Sequence, residues 1–419
     1  MRWGKVRRPS PKGLLRNLWM LFAVLGPGFI TANVNNDAGG IAIYSTAGSY
    51  PFGYSCLWAL FPITGMLILT QEMGLRMGAV TGKGLADLVR ERFGLKLTFY
   101  LMLVLLVTNV ANTMAEFAGV AASLGLFGIG KWFSVPIAAA VVWLIVVRGT
   151  YKTVEKVFLI ATLFYVAYII SGWLAQPDWG DVARSVVFPQ ARWDRSYLYM
   201  LVGLVGAAVA PWMQFYVQAA VVEKGIAVDN LRMARWDVIA GCCMASVVAF
   251  FIAVACGATL GKAGIAVQSG ADAARALRPL AGDYAALLFA FGLGTASLFA
   301  ASILPLSTSY TVCEGLGFEH GVNKTFKEAP QFYGLYTAII VLGAVAVLWP
   351  RFPLFEIMIL SQVINGFVIP ILMLVILRLA NDRTLLGEYV NSRRFNLCCY
   401  LALGLMSAAD GWLLAFVWR

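Results

Sequence analysis

An apolar stretch of membrane-spanning length, Leu25–Tyr44 (LGPGFITANVNNDAGGIAIY), carries Asn33, Asn35, Asn36 and Asp37 at its centre, followed by Gly39 and Gly40. A carboxylate at the middle of a bilayer costs about 3 kcal/mol on insertion scales, and it persists only beside a partner, water or an ion. Glycines next to polar residues let a membrane helix unwind, and the carbonyls so released need something to bind. One acid with unwound carbonyls deep in a membrane reads first as a cation site. The alternative is a simple kink with Asp37 paired to a buried Arg or Lys. Few basic residues lie inside the other apolar spans, which favours the cation site.

The rest of the chain shares this apolar character. It is 60% hydrophobic and 13% charged, with a mean hydropathy of +0.78, which excludes an ordinary soluble domain and predicts a polytopic helical membrane protein. The 13 Trp and 16 Tyr suit interfacial belts. A net charge of +11 can signal nucleic-acid binding. Here the basic residues sit in short loops, so topology explains them and no nucleic-acid partner is expected. Most of the seven cysteines fall inside apolar spans without metal-ligand spacing, and read as packing residues, not as disulfides or a zinc site. The single histidine, His320, falls in a loop, so histidine cannot form an intramembrane proton relay. The basic segment 1–17 reads as a cytoplasmic arm without a cleavable signal.

Eleven spans are predicted, at about 18–44, 53–76, 97–124, 133–148, 154–175, 196–221, 235–260, 283–314, 332–350, 354–379 and 395–418. With the N-terminus in the cytoplasm, 23 of the 32 Lys and Arg fall on the cytoplasmic face, as the positive-inside rule requires. An odd number of spans then places the C-terminus outside. The expected location is the plasma (inner) membrane.

The sixth span carries a second interruption, GLVGAAVAPWMQFYVQAA (Gly203–Ala220), where small residues precede Pro211. Proline removes a backbone donor and breaks the helix. The first and sixth spans are thus both broken near their middles, five spans apart, so the two halves have opposite orientation. Broken helices at matching places in inverted halves point to a transporter with a midplane site. The predicted division is residues 18–175 as one repeat, 196–379 as the other, and 395–418 as an additional helix.

Several segments resemble the Nramp divalent-metal transporters: LGPGFI (Leu25–Ile30), an Asp-X-Gly motif at Asp37, QEMGLRMGAVTGKGLADL (Gln71–Leu88), Glu155 at the start of the fifth span, LSQV (Leu360–Val363) and LLGEYVNSRR (Leu385–Arg394). The resemblance runs nearly end to end. It implies the LeuT-type fold, an all-α membrane protein of two inverted five-helix repeats plus an eleventh helix. It also carries over the Val34 and Ala207 carbonyls as ligands beside the Asp37 carboxylate, with Gln362 reaching the ion through water and Asn36 as a further candidate. The departures are informative. The family's Asp-Pro-Gly-Asn appears as Asp37-Ala38-Gly39-Gly40, so the coordinating Asn is replaced by Gly40. Its Met-Pro-His appears as Ala210-Pro211-Trp212, so the metal-binding thioether and a histidine are gone. A second histidine falls at Val217 and a third-span acid at Thr113, while Glu116 is kept. This set of changes resembles the divergent branch of Nramp-related magnesium transporters.

A thioether favours soft transition metals over hard Mg²⁺. Its loss at Ala210, with the loss of a side-chain oxygen at Gly40, is expected to leave a roomy site with one carboxylate. Mg²⁺ keeps several of its waters and is usually held through one or two carboxylates, which suits such a site, and Mn²⁺ should also pass. With Thr113, Trp212 and Val217 where the family has titratable groups, Glu116 alone makes no proton chain, and its other reading is a buried acid paired with Arg148 or Lys156. Uniport driven by the membrane potential is therefore expected. The cation is substrate, no cofactor is implied, and a monomer is expected. Rival readings are a proton-coupled Mn²⁺/Fe²⁺ transporter, an amino-acid permease of the same fold, whose substrate carboxylate Asp37 would repel, and a channel. A membrane metalloprotease is excluded by the lone histidine.

Overall fold

The computed structural model describes residues 34–148, 165–276, 282, 285–322 and 324–417. LGPGFI, Asn33, Glu155 and Lys156 lie outside the described residues. All described elements are helical. The spans are Ala38–Gly48 (the second half of the first), Leu60–Thr81, Leu85–Gly125, Lys131–Arg148, Tyr165–Leu174 (part of the fifth), the paired segments Arg195–Ala208 and Pro211–Glu223, Leu231–Cys256, Ala285–Leu316, Pro330–Leu348, Leu354–Ala380 and Arg393–Val417. Eight helical stretches among the described residues are long and apolar enough to cross a membrane. Large apolar side chains such as Phe133, Ile137, Leu342 and Leu405 are exposed around the bundle, where lipid replaces water as their solvent.

Most span ends fall within a few residues of those expected, with two differences. The second span begins at Leu60, after a 3₁₀ turn at Leu57–Ala59, and continues to Thr81. The third begins at Leu85, twelve residues before the expected 97. Its charged first turns (Asp87, Arg90, Glu91, Arg92) look like a loop in sequence. They form a helix that bends at Gly94, whose φ of +80° interrupts the helical backbone. Short helices at Trp179–Val187 and Gly270–Arg275 lie in the connections.

Spans five apart pack on one another: second with seventh, third with eighth, fourth with ninth. The first and sixth are joined at their breaks, where Asn35 Nδ2 donates to the Ala208 carbonyl at 2.5 Å. The third and tenth spans also pack together, and the eleventh lies against the sixth and tenth. The midplane core is therefore built from the two broken spans held between the third, eighth and tenth. All seven cysteines are unpaired thiols.

Candidate cation site

Among the described residues, the break in the first span shows a 3₁₀ turn, Val34–Asn36, followed by Asp37 in an extended conformation as N-cap of the helix Ala38–Gly48. Asp37 Oδ1 accepts the Gly40 amide at 2.6 Å, so the carboxylate satisfies an orphan donor of the new helix. A carboxylate has about four lone-pair sites, so capping leaves acceptor capacity for a cation. The α-helical donor for the Val34 carbonyl would be the Ala38 amide, and that amide donates instead to Glu116 Oε2 at 3.2 Å. The Val34 carbonyl thereby loses its α-helical donor and keeps only the 3₁₀ bond of the turn, which leaves a lone pair for a ligand.

The break in the sixth span falls at Val209 and Ala210, with Pro211 at the first position of the second half. Proline opens a helix readily because its missing N–H would be unsatisfied there anyway. Its absent N–H is also the one that would have bonded the Ala207 carbonyl, four residues back. The next carbonyl, of Ala208, is taken by Asn35. Ala207 is thus a carbonyl that this break deprives of its helical donor, and Asn35 fixes the two breaks against each other. All the residues assigned to the site (Val34, Asn36, Asp37, Gly40, Ala207, Ala210, Gln362) are buried.

Three expectations need correction. First, Gly40 does not leave room. A Cβ there would collide with the Asn35 carbonyl oxygen, which occupies the space a side chain would need. The glycine admits a backbone oxygen in place of a side-chain one. Second, Glu116 is not paired with Arg148, which is exposed at the end of its span. It lies on the first-span break, with its carboxyl against that of Asp37 and its Oε1 unpartnered. It therefore belongs to the site's immediate surroundings, although it lies 78 residues away in sequence. Third, Gln362 reaches the first span, where a Cβ on Gly39 would overlap its Nε2, but its Oε1 is already engaged by Asn365 Nδ2 at 3.0 Å. The group it turns toward the break is a donor.

Thr113, Val217 and Trp212 each have packing partners in the bundle. Thr113 donates to the Asn109 carbonyl at 2.7 Å and its methyl faces Gly343 of the ninth span. Val217 packs against Gly74 of the second span. Trp212 stacks at a tilt on Tyr216, centroids 6.0 Å apart. Asn36 Nδ2 reaches the Ala245 carbonyl of the seventh span at 3.5 Å. Sequence reasoning named Asn35 as part of the polar break without giving it a partner, and passed over Asn112 and Asn365. The signal was present, since an amide inside an apolar span needs a partner in the bundle, but which partner is not written locally.

The sequence matches the model of the natural resistance-associated macrophage protein-like (Nramp) family over residues 28–416. It is 27% identical over 420 residues to the divalent metal cation transporter MntH of Deinococcus radiodurans, covering 97% of this chain and 91% of that protein. Among solved structures, a manganese transporter from Eremococcus coleocola bound to an aromatic bis-isothiourea compound superposes with a TM-score of 0.76 at 20% identity, covering 97% of this chain and 88% of that one. MhsT in complex with L-phenylalanine gives a TM-score of 0.57 at 15% identity, covering 93% and 97%. At these identities the structural likeness establishes the LeuT-type fold, in which a manganese transporter and MhsT share one architecture.

Proposed function

The chain belongs to the Nramp family, and on that premise we propose that it is a membrane uniporter for divalent cations, chiefly Mg²⁺ with Mn²⁺ also accepted, held partly hydrated between the two broken spans. The family relatives it matches are metal transporters and not enzymes. The observation that carries the metal preference is the donor chemistry where the breaks meet. The Asp37 carboxylate lies on the first break, which Asn35 joins to a sixth-span break containing alanines, and position 210 supplies no sulfur. The Asn35 carbonyl standing beside Gly40 adds another hard oxygen. Hard oxygen donors suit Mg²⁺ and Mn²⁺, whereas a thioether would draw softer ions. A potential of 100 mV supplies about 2.3 kcal/mol per charge, twice that for a divalent ion, so uptake needs no proton. We place the protein as a monomer in the inner membrane, N-terminus cytoplasmic and C-terminus outside. We assign residues 18–175 and 196–379 to the two repeats.

A second reading is favoured by one specific contact. Glu116 lies against Asp37 with one oxygen unpartnered, and two adjoining carboxyl groups either attract a cation or share a proton. That arrangement suits proton-coupled Mn²⁺ transport. One assay separates the two readings. Proteoliposomes with a pH probe inside are offered Mg²⁺, Mn²⁺ and Ca²⁺ in turn. The proposal expects saturable Mg²⁺ uptake with constant internal pH. Metal-driven acidification that disappears in Glu116→Gln would establish the second reading instead, and uptake without saturation would point to a channel.

A further inference from the structure

Gln362 ends a chain of buried amides that runs across three spans. Its Oε1 accepts from Asn365 Nδ2 at 3.0 Å. Asn365 and Asn112 form a reciprocal pair between the tenth and third spans, Asn112 Nδ2 to Asn365 Oδ1 at 3.0 Å and Asn365 Nδ2 to Asn112 Oδ1 at 3.1 Å. Asn112 Nδ2 also leans on Asn109 Oδ1 at 3.4 Å, Asn109 Nδ2 donates to Thr308 Oγ1 at 2.7 Å, and Thr308 donates to the Leu304 carbonyl at 2.7 Å. All five side chains are 2% exposed or less.

The two central amides of this chain use both of their donors. An amide nitrogen carries two hydrogens. Asn365 spends one on Asn112 and one on Gln362, and Asn112 spends one on Asn365 and one on Asn109. Buried amides left without partners are costly, so these side chains hold one another in place. In this arrangement the Gln362 oxygen sits on Asn365, and its nitrogen lies beside Gly39 of the first-span break and donates to Ser361 Oγ at 3.4 Å. A cation and the waters it carries both need acceptors there, because a metal-bound water points its hydrogens outward. The side chain that the family resemblance assigns to meet such a water therefore has its acceptor facing away.

We propose that Asn365, backed by Asn112, is a positioning residue for cation binding: it holds the Gln362 carbonyl off the site, so the amide must turn and give up one hydrogen bond before its oxygen can receive a metal-bound water. The pair thus sets the apparent affinity without touching the ion. This rests on the reading of the two breaks as the cation site.

The test is the kinetics of Mg²⁺ uptake by the full chain in proteoliposomes, with KM and Vmax measured separately. Asn365→Leu should lower KM about fivefold, the worth of one net hydrogen bond, with Vmax little changed. Structural damage would raise KM or lower Vmax, so the direction itself is diagnostic. Asn112→Leu with Asn365→Leu removes both members of the reciprocal pair, leaves neither amide of that pair orphaned, and should lower KM likewise even if the single variant folds poorly. In a Gln362→Leu background, Asn365→Leu should have no effect on KM. The proposal is overturned if KM is unchanged or raised in both leucine variants, or if the same fall appears without Gln362. Asp37→Asn, run alongside, distinguishes the two levels. If it transports normally, the site reading itself fails. If it is inactive while Asn365 leaves KM unmoved, only the positioning role falls.

Discussion

The two breaks solve one structural problem with opposite chemistry. Both must open a helix at mid-membrane and leave carbonyls without helical donors. The first does it with polar residues: Asp37 caps the restarted helix, and Glu116 arrives from the third span to take the Ala38 amide. The sixth does it with a proline among alanines, where the missing N–H of Pro211 is sufficient and no side chain caps the restart. Nearly all the charge therefore comes from one half and mostly backbone oxygen from the other. The Asn35–Ala208 bond is what makes the two halves one site. A cation site assembled this way can change its metal preference at the apolar break without altering the charge supplied by the polar one.

The largest effect should come from removing the polar half's charge. Asp37→Asn keeps the shape and leaves the Gly40 amide an acceptor. Mg²⁺ uptake should fall to background, at least about a hundredfold, with an unaltered gel-filtration profile, because the removed interaction is a charge–cation contact in a site shielded from water. Normal uptake would mean that charge does not reside at this break.

Gly40 comes next. A methyl group there meets the backbone oxygen of Asn35, which cannot give way as a side chain would. Gly40→Ala should lower stability by about 1–3 kcal/mol, the usual cost of overpacking, and reduce transport strongly. Gly40→Asn should be worse and should not act as a restored ligand. A melting temperature in detergent equal to that of the parent would show that the first break can relax.

Pro211→Ala tests the apolar half. It restores the N–H that could bond the Ala207 carbonyl, closing the break. Uptake should fall about tenfold through Vmax while thermal stability holds, since proline is well placed at the start of the broken half-helix and alanine is well placed in a continuous one. If both are unchanged, the sixth break is set by packing and not by the missing donor.

These contrasts also show what a sequence can and cannot disclose. The spans were legible because apolar runs of fixed length have few other uses. The breaks were legible because Asp37, Gly39, Gly40 and Pro211 are costly in a membrane helix. The start of the third span at Leu85 was not, because its charged turns carry no apolar periodicity. Nor was the approach of Glu116 to Ala38, 78 residues away, or the orientation of Gln362, whose partner Asn365 is held in turn by Asn112 of the third span. The space at Gly40 was misjudged for the same reason. A deleted side chain looks like a void until the backbone that fills it is seen.

The smallest and most discriminating effect belongs to Ala210→Met. The residue opens the sixth span's second half from an extended conformation, buried and without a cap bond. A methionine there would offer sulfur to an ion otherwise met by oxygen. Because Gly40 is closed by the Asn35 carbonyl, this single change is the cleaner test of ligand softness, with the polar break untouched. Soft donors rank Cd²⁺ well above Mg²⁺. In a competition assay the variant should shift preference toward Cd²⁺ by about three- to tenfold, a thioether being a weak ligand worth about one hydrogen bond at most. Mn²⁺ should move less, being nearer to Mg²⁺ in hardness. Total uptake should fall modestly, since the longer side chain takes volume from retained water. If Mg²⁺ and Cd²⁺ are affected equally, donor type at the apolar break does not set selectivity. Discrimination would then have to arise from the polar break, where charge and retained water act on every divalent ion alike.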